Sequence, residues 1–165
     1  MNMTTKYVIR KGQLGDLAEL QKLFLDTITE ICKVDYNEDQ IDAWIADTKN
    51  NKNRQRWIDI LTKQFVLVAQ IQNEIVGFIT LDHGNYIDLL YVHKNHQRQG
   101  IADSLYKNIE NEARRQDQSF LTSNVSKTAR PFFEKVGFEV TKKQTIDRQN
   151  VTLTNYKMTK KINSL

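Results

Sequence analysis

Hydrophobic positions recur along this chain with two different periods, and the switches between them lay out the elements. Tyr7, Val8 and Ile9 precede Gly12 and Gly15 and read as a short first strand. Leu17, Leu20, Phe24, Ile28 and Ile31 then step by three and four, which places them on one face of a helix. Asn37 followed by Gln40 matches a capping box, and Ile41, Trp44 and Ile45 supply the apolar stripe of a second helix. Trp57, Ile58 and Leu61 indicate a further short helix after a polar loop at residues 49–53. Residues 65–71 and 75–81 form a hairpin across Gln72-Asn73, and a strand at 86–92 follows the turn Asp82-His83-Gly84-Asn85.

In the second half Ile101, Leu105, Ile109 and Ala113 step by four, the mark of an amphipathic helix. A strand at 120–125 follows, and strand, helix and strand make a crossover that favours parallel pairing. Phe132, Phe133 and Val136 belong to a short helix ending at Gly137. Pro131 fits only in its first turn, which favours Thr128 over Ser126 as N-cap. Two closing strands, 138–145 and 151–159, flank the polar turn 146–150. Apolar parity in the last strand shifts from odd (Val151, Leu153) to even (Tyr156, Met158), which predicts a bulge near Thr154-Asn155.

Composition narrows the class. A chain of 165 residues, 39% hydrophobic with charges of both signs, reads as one globular domain over residues 1–165. No apolar run approaches the ~20 residues that cross a bilayer, and the polar N-terminus lacks the apolar stretch of a secretion signal. The lone Cys32 has no internal disulfide partner and reads as a small buried hydrophobe rather than a nucleophile. These features predict a cytoplasmic protein. The net charge of +4 suits nucleic acid, anionic lipid or a phosphate-rich cofactor. The basic residues are scattered, so neither a nucleic-acid nor a membrane partner is expected, and no metal is implied.

The most informative stretch runs from Tyr91 to Ala102, from a strand through a polar loop into a helix. Main-chain N–H groups at such a helix start lack partners and suit a pyrophosphate; Gly100 admits close approach, Ala102 keeps bulk away and Arg98 adds charge. The loop alone is equally well read as an ordinary strand-to-helix connection. However, Gln97-x-x-Gly100-x-Ala102 resembles the coenzyme A signature of the GNAT acetyltransferase superfamily, and Ser126-Lys127-Thr128-Ala129-Arg130-Pro131-Phe132-Phe133-Glu134-Lys135-Val136-Gly137-Phe138 resembles its second motif. The resemblance covers nearly the whole chain and is greatest to one bacterial subgroup.

That resemblance implies an α/β fold: one strongly twisted mixed sheet of six to seven strands, helices on both faces, and strands four and five splayed at one end. Acetyl-CoA is the implied cosubstrate. Backbone groups of Leu90, Tyr91 and Val92 would pair with its pantetheine, and the amides of Gln97, Arg98, Gln99, Gly100, Ile101 and Ala102 would hold its pyrophosphate. Asn124, Ser126 and Lys127 match further cofactor contacts; Lys127 by itself reads as a solvated charge. Phe132 and Phe133 would line the thiol arm while also serving as core.

Attack of an amine on a thioester needs a base, a polarising donor near Tyr91 or Val92, and a proton for the thiolate. Asp88, partly desolvated and sharing strand parity with Leu90 and Val92, is the expected base; a carboxylate simply paired with a neighbouring lysine or with backbone is the competing reading. His83, His93 and Glu74 are weaker candidates. Many members of the family carry a tyrosine where Phe133 stands, and phenylalanine donates no proton. Tyr156 or water is expected to serve instead, and an acyl-CoA sensor with weak or no activity is the alternative function. Asp35, Glu38, Asp39, Asp42 and Asp47 form an acidic island that suggests a small cationic acceptor, although Glu38 and Asp39 also suit a helix N-terminus. Tyr36 and Trp44 would wall the acceptor site, and a homodimer is left open.

Overall fold

The computed structural model describes residues 6–46 and 51–163. Seven strands form one mixed sheet: β1 (Val8–Lys11), β2 (Phe65–Ile71), β3 (Glu74–Asp82), β4 (Tyr86–Val92), β5 (Phe120–Ser126), β6 (Glu139–Arg148) and β7 (Val151–Lys161). Their order is β1-β2-β3-β4-β5-β7-β6. The β4–β5 pair is parallel, and the other neighbours are antiparallel. Helix α4 (Ile101–Arg115) connects those two parallel strands, as a crossover must.

The hairpin β2–β3 shows how the alternation of a strand builds two cores. Val68 and Phe78 pair across it and face α1 (Leu17–Glu30) and α3 (Asn51–Lys63), packing with Leu20, Trp57 and Leu89. Ala69 and Ile79, one position on, face the opposite way and pack with Leu105, Ile109 and Leu121 on the α4 side, joined by Phe133 of α5 (Arg130–Lys135). Each fully buried leucine or isoleucine contributes about 1.5–3 kcal/mol. A third cluster, with Ile28, Cys32, Ile41 and Leu153, seats α2 (Glu38–Ile45) against β7. The expected capping box starts α2: Asn37 accepts from the Gln40 N–H, and the Gln40 side chain accepts from the Asn37 N–H, both at 2.9 Å.

Four local expectations need correction. Helix α3 starts at Asn51 and runs to Lys63, so residues 51–53 are helical rather than loop, while 49 and 50 lie outside the described residues. Trp57 and Ile60 anchor it, and its polar opening turns carry no apolar periodicity to betray them. Strand β7 keeps unbroken register with β6 across Thr154-Asn155, and its pairing with β5 is regular up to Asn155, where it ends. Its parity shift arises because Leu153 is covered by α2 on one face and Met158 by the α4 core on the other. The irregularity lies in the partner strand, between Val140 and Lys142. Before α5 the Ser126 hydroxyl accepts the Ala129 N–H at 3.1 Å, while Thr128 turns away and donates to Asp35 at 2.8 Å.

The fourth correction bears on function. Thr80 pairs with Leu89 but Leu81 pairs with Ile87, so Asp88 is an extra residue in β4, and the Thr80 hydroxyl accepts the Leu89 N–H at 3.0 Å. This bulge breaks the parity expected to align Asp88 with Leu90 and Val92. Asp88 turns instead toward α3, with Leu89.

Candidate active site

Strands β4 and β5 pair only at Tyr86 with Thr122 and Ile87 with Ser123. There the Ser123 hydroxyl donates to the Ile87 carbonyl at 2.7 Å and closes the ladder. Beyond it the strands part, and a cavity of about 700 Å³ passes between them. The Leu89 N–H is bonded to Thr80 and the His93 N–H to Val76, both on β3, so the alternation of a ladder turns the main-chain groups of Leu90 and Val92 into the gap. Those of Tyr91 face β3, which removes its backbone from the expected set.

At the open end of the gap, Arg98 and Gly100 both have positive φ, 61° and 82°. The main-chain N–H groups from Gln97 to Asp103 donate to no group among the described residues. A Cβ placed on Gly100 would meet nothing within 4 Å, so the space in front of α4 is clear. Such a row of outward donors at a helix start fits a diphosphate. Gln97, Arg98, Gly100, Ile101 and Ala102 line the cavity, as do Leu90, Tyr91, Val92, Asn124, Ser126, Phe132 and Phe133. The Gln97 side chain is spent on the protein itself, donating to the Val92 and His93 carbonyls. Gln99 is exposed and does not line the cavity.

On the α2 side Tyr36 and Trp44 both line the cavity, edge to face with ring centres 5.2 Å apart. Tyr36 is buried at 4% exposure; its hydroxyl donates to the Thr154 carbonyl at 2.7 Å and accepts the Lys127 N–H at 2.9 Å. Lys127 does not line the cavity; its ammonium lies over the Tyr36 ring, so it braces this side. Asp88 lines the cavity floor, accepting from Gln64 Nε2 at 2.9 Å and from Arg56 at 3.4 Å. It is therefore satisfied by arginine and glutamine, not by the lysine or backbone of the competing reading.

Tyr156 is not brought to the cavity. Its ring packs against the α4 core, 4.5 Å beneath the Arg130 guanidinium, because its even position in β7 faces α5. The acidic island is also displaced: Asp35, Glu38, Asp39 and Asp42 are exposed and none lines the cavity, while Asp47 lies outside the described residues. Four of the five carboxylates behind the cationic-acceptor expectation therefore do not line the cavity. His83 is a surface residue paired with Asp82.

Sequence reasoning missed Arg56, Tyr86, Ser123, Arg148 and Asn155, all of which line the cavity. Arg56 carried no signal to set it apart from a solvated helix face, while Arg148 was findable as sharing β6 parity with the packed Ile146. Burial, then the charge of Asp88, raises the Tyr86 hydroxyl above its ordinary value; burial raises that of Tyr91 much further. Burial pushes the Cys32 thiol up to about 11, so it is a neutral cavity-lining group. Three buried side-chain polar atoms lack a partner, Thr27 Oγ1, Gln64 Oε1 and His96 Nδ1. All three belong to residues lining this cavity or the one behind Asp88. No cluster of metal-ligating side chains occurs among the described residues, and no described helix is long and apolar enough to cross a membrane.

A parted mixed sheet, with a donor-lined helix start at the mouth of the gap, defines a domain class whose gap suits an extended, phosphate-bearing ligand. The match of residues 32–160 to the family model of the acetyltransferase (GNAT) domain takes this further: the chain belongs to the GNAT acetyltransferase family and is an N-acetyltransferase. It is 35% identical over 151 residues to the uncharacterized N-acetyltransferase YafP of Escherichia coli, covering 91% of this chain and 93% of that protein. A GCN5-related N-acetyltransferase of Rhodopseudomonas palustris superposes with a TM-score of 0.87 at 27% identity, covering 98% of this chain and 99% of the other. At 19% identity, the PaiA N-acetyltransferase of Thermoplasma acidophilum, solved with coenzyme A, shares the fold with a TM-score of 0.74 over 95% and 99% of the two chains. So does yncA of Salmonella typhimurium, solved with its cofactor acetyl-CoA, at 18% identity and 0.69 over 97% and 96%.

Proposed function

We propose that the chain works as a single cytoplasmic domain that moves an acetyl group from acetyl-CoA to the primary amine of a small acceptor. One observation carries this reading: the N–H groups of residues 97–103 have no partner among the described residues and stand at the mouth of a gap edged by the main chain of Leu90 and the N–H of Val92. The complexes of PaiA with coenzyme A and of yncA with acetyl-CoA support the choice of donor. A single cysteine that is free and buried suits a reducing compartment.

When bound, the cosubstrate supplies an acyl group activated as a thioester. The residues at the gap do the rest. The Val92 N–H is the donor that stabilises developing charge on the carbonyl oxygen, a contribution whose loss typically costs about 10²–10³ in rate. Phe132 and Phe133 keep water from the thiol arm. Asp88 accepts the amine proton as nitrogen bonds to the acyl carbon and the carbon–sulfur bond breaks. Its contact with Arg56 is 3.4 Å, longer than a charge-assisted hydrogen bond, which leaves room at that oxygen for the amine N–H. Water protonates the departing thiolate, since Tyr156 lies away from the cavity.

A binding module without turnover is the competing reading, favoured by a phenylalanine, buried at 2% exposure, where the motif usually carries a phenol. Acetyl-CoA should raise the melting temperature of the protein under either reading. Thiol release with a panel of amines should then proceed and fall about 10²-fold in Asp88→Asn at saturating cosubstrate. No stabilisation by acetyl-CoA sinks both readings; stabilisation without turnover leaves the binding module.

A further inference from the structure

The charges that face the cavity on its α1–α3 side differ in sign from those on the neighbouring surface. Glu38, Asp39 and Asp42 are exposed and outside the cavity, Asp35 accepts from Thr128 at its edge, and among the described residues the only carboxylate lining this side is Asp88. Its two oxygens already accept from Gln64 and Arg56. Two guanidinium groups line the same cavity, Arg56 from α3, which touches Asp88, and the exposed Arg148 from the end of β6. Arg148 shares strand parity with Ile146, which packs on the α2 cluster, so it stands on the same face of the sheet. It makes no hydrogen bond or ion pair among the described residues, and Arg56 makes one, through Nη2.

The neutral polar lining has the same bias. Gln144 Nε2 donates to Oδ1 of Asn124 at 3.1 Å and to Oδ1 of Asn155 at 3.0 Å. Bonding through oxygen leaves the Asn155 amide nitrogen as the free end of a cavity-lining side chain. Donors with capacity to spare thus line this half: Arg148, Arg56 beyond its one bond to Asp88, and a primary amide. Guanidinium groups match anionic oxygens in both charge and fork geometry.

Resting on the acetyl-transfer reading above, we infer that the acceptor is a primary amine that also carries an anionic oxygen group, a carboxylate or phosphate, held by Arg148 and Arg56. Asp88 then meets the amine end and the arginines the acid end, so the two ends of the acceptor are told apart by charge. Arg148, on the strand end beside the hairpin tip, selects; Arg56 serves both ends through its contact with Asp88.

The test compares acceptors that differ only in charge: glycine, β-alanine and 4-aminobutanoate against their amides, and phosphoethanolamine against ethanolamine. At saturating acetyl-CoA, kcat/KM should favour the anionic member of at least one pair about tenfold or more. Arg148→Gln should bring that ratio to about one through the KM of the anionic member, and Arg148→Lys should retain part of it. Lys143→Gln, an exposed lysine of β6 outside the cavity, should keep the ratio and so controls for loss of charge alone. Calorimetry with coenzyme A bound gives a readout free of turnover: N-acetyl-β-alanine or N-acetylphosphoethanolamine should bind more tightly than its neutral counterpart, and Arg148→Gln should abolish the difference. Equal or faster use of the neutral members, a ratio that survives Arg148→Gln, or, without turnover, no charge preference in binding each overturns the inference. Failure of the acetyl-transfer reading shows separately, as absence of stabilisation by acetyl-CoA without any acceptor.

Discussion

Tyr36 ties three parts of the chain together through one oxygen. Its hydroxyl joins the segment before α2 to the β7 carbonyl of Thr154 and to the Lys127 N–H before α5. Tyr36→Phe leaves that carbonyl and that N–H unpaired beside the cavity and should cost about 1–3 kcal/mol, measured as a shift in urea midpoint at constant slope. Cys32 yields a second expectation at this scale. With its thiol raised to about 11 by burial, it is protonated at pH 8, and iodoacetamide should label it far more slowly in the native protein than in urea. Rapid native labelling, read by mass spectrometry, would contradict the burial argument. At the scale of single residues the sequence was a partial guide. Tyr36 and Trp44 were singled out as acceptor-side aromatics and both line the cavity; Arg56 was not, because an arginine beside a buried tryptophan looks like any solvated helix face.

Among the elements, the loop into α4 is the most exacting. Gly100 sits at φ 82° with open space around it, so Gly100→Ala meets no clash and its cost is conformational, about 1–2 kcal/mol. If the chain relaxes to negative φ, the N–H row turns away, and acetyl-CoA affinity should fall about tenfold or more by calorimetry while the far-ultraviolet spectrum is kept. Elements of this kind were readable because their periods and breakers agree: β4 was bounded correctly by Gly84 and the polar loop after Val92. What escaped was the register within it. The Asp88 bulge depends on the Thr80 hydroxyl one strand away bonding the Leu89 N–H, a long-range substitution that alternation cannot reveal. The same limit explains β7, where the change of parity reflected a change in which face is covered.

Across the whole molecule, α4 is bolted to the C-terminal strands by a network around Glu110. Its carboxylate accepts from Lys160 at 2.6 Å and from Tyr106 at 2.7 Å and pairs with Arg114 at 2.9 Å. Burial pushes this group upward, but the hydrogen bonds from Lys160 and Tyr106 and the charges of Lys160 and Arg114 outweigh it and hold it below the ordinary glutamate value of 4.5. A depressed folded value means stability that is present above that ordinary value and lost as pH falls through the folded one. Melting temperature should therefore drop on acidification below 4.5, and Glu110→Gln should flatten that part of the profile. An unchanged profile would remove Glu110 from the account.

The bolt matters because the halves of the sheet share so little else. Strands β1 to β4 meet β5, β7 and β6 through two residue pairs, at Tyr86 and Ile87. The frame is a fork, joined at its base and bridged by α4, and whatever lies between its tines supplies the rungs that protein does not. A donor seated there should stiffen the fork, to be read as slower amide exchange in β4 and β5 with acetyl-CoA than without it.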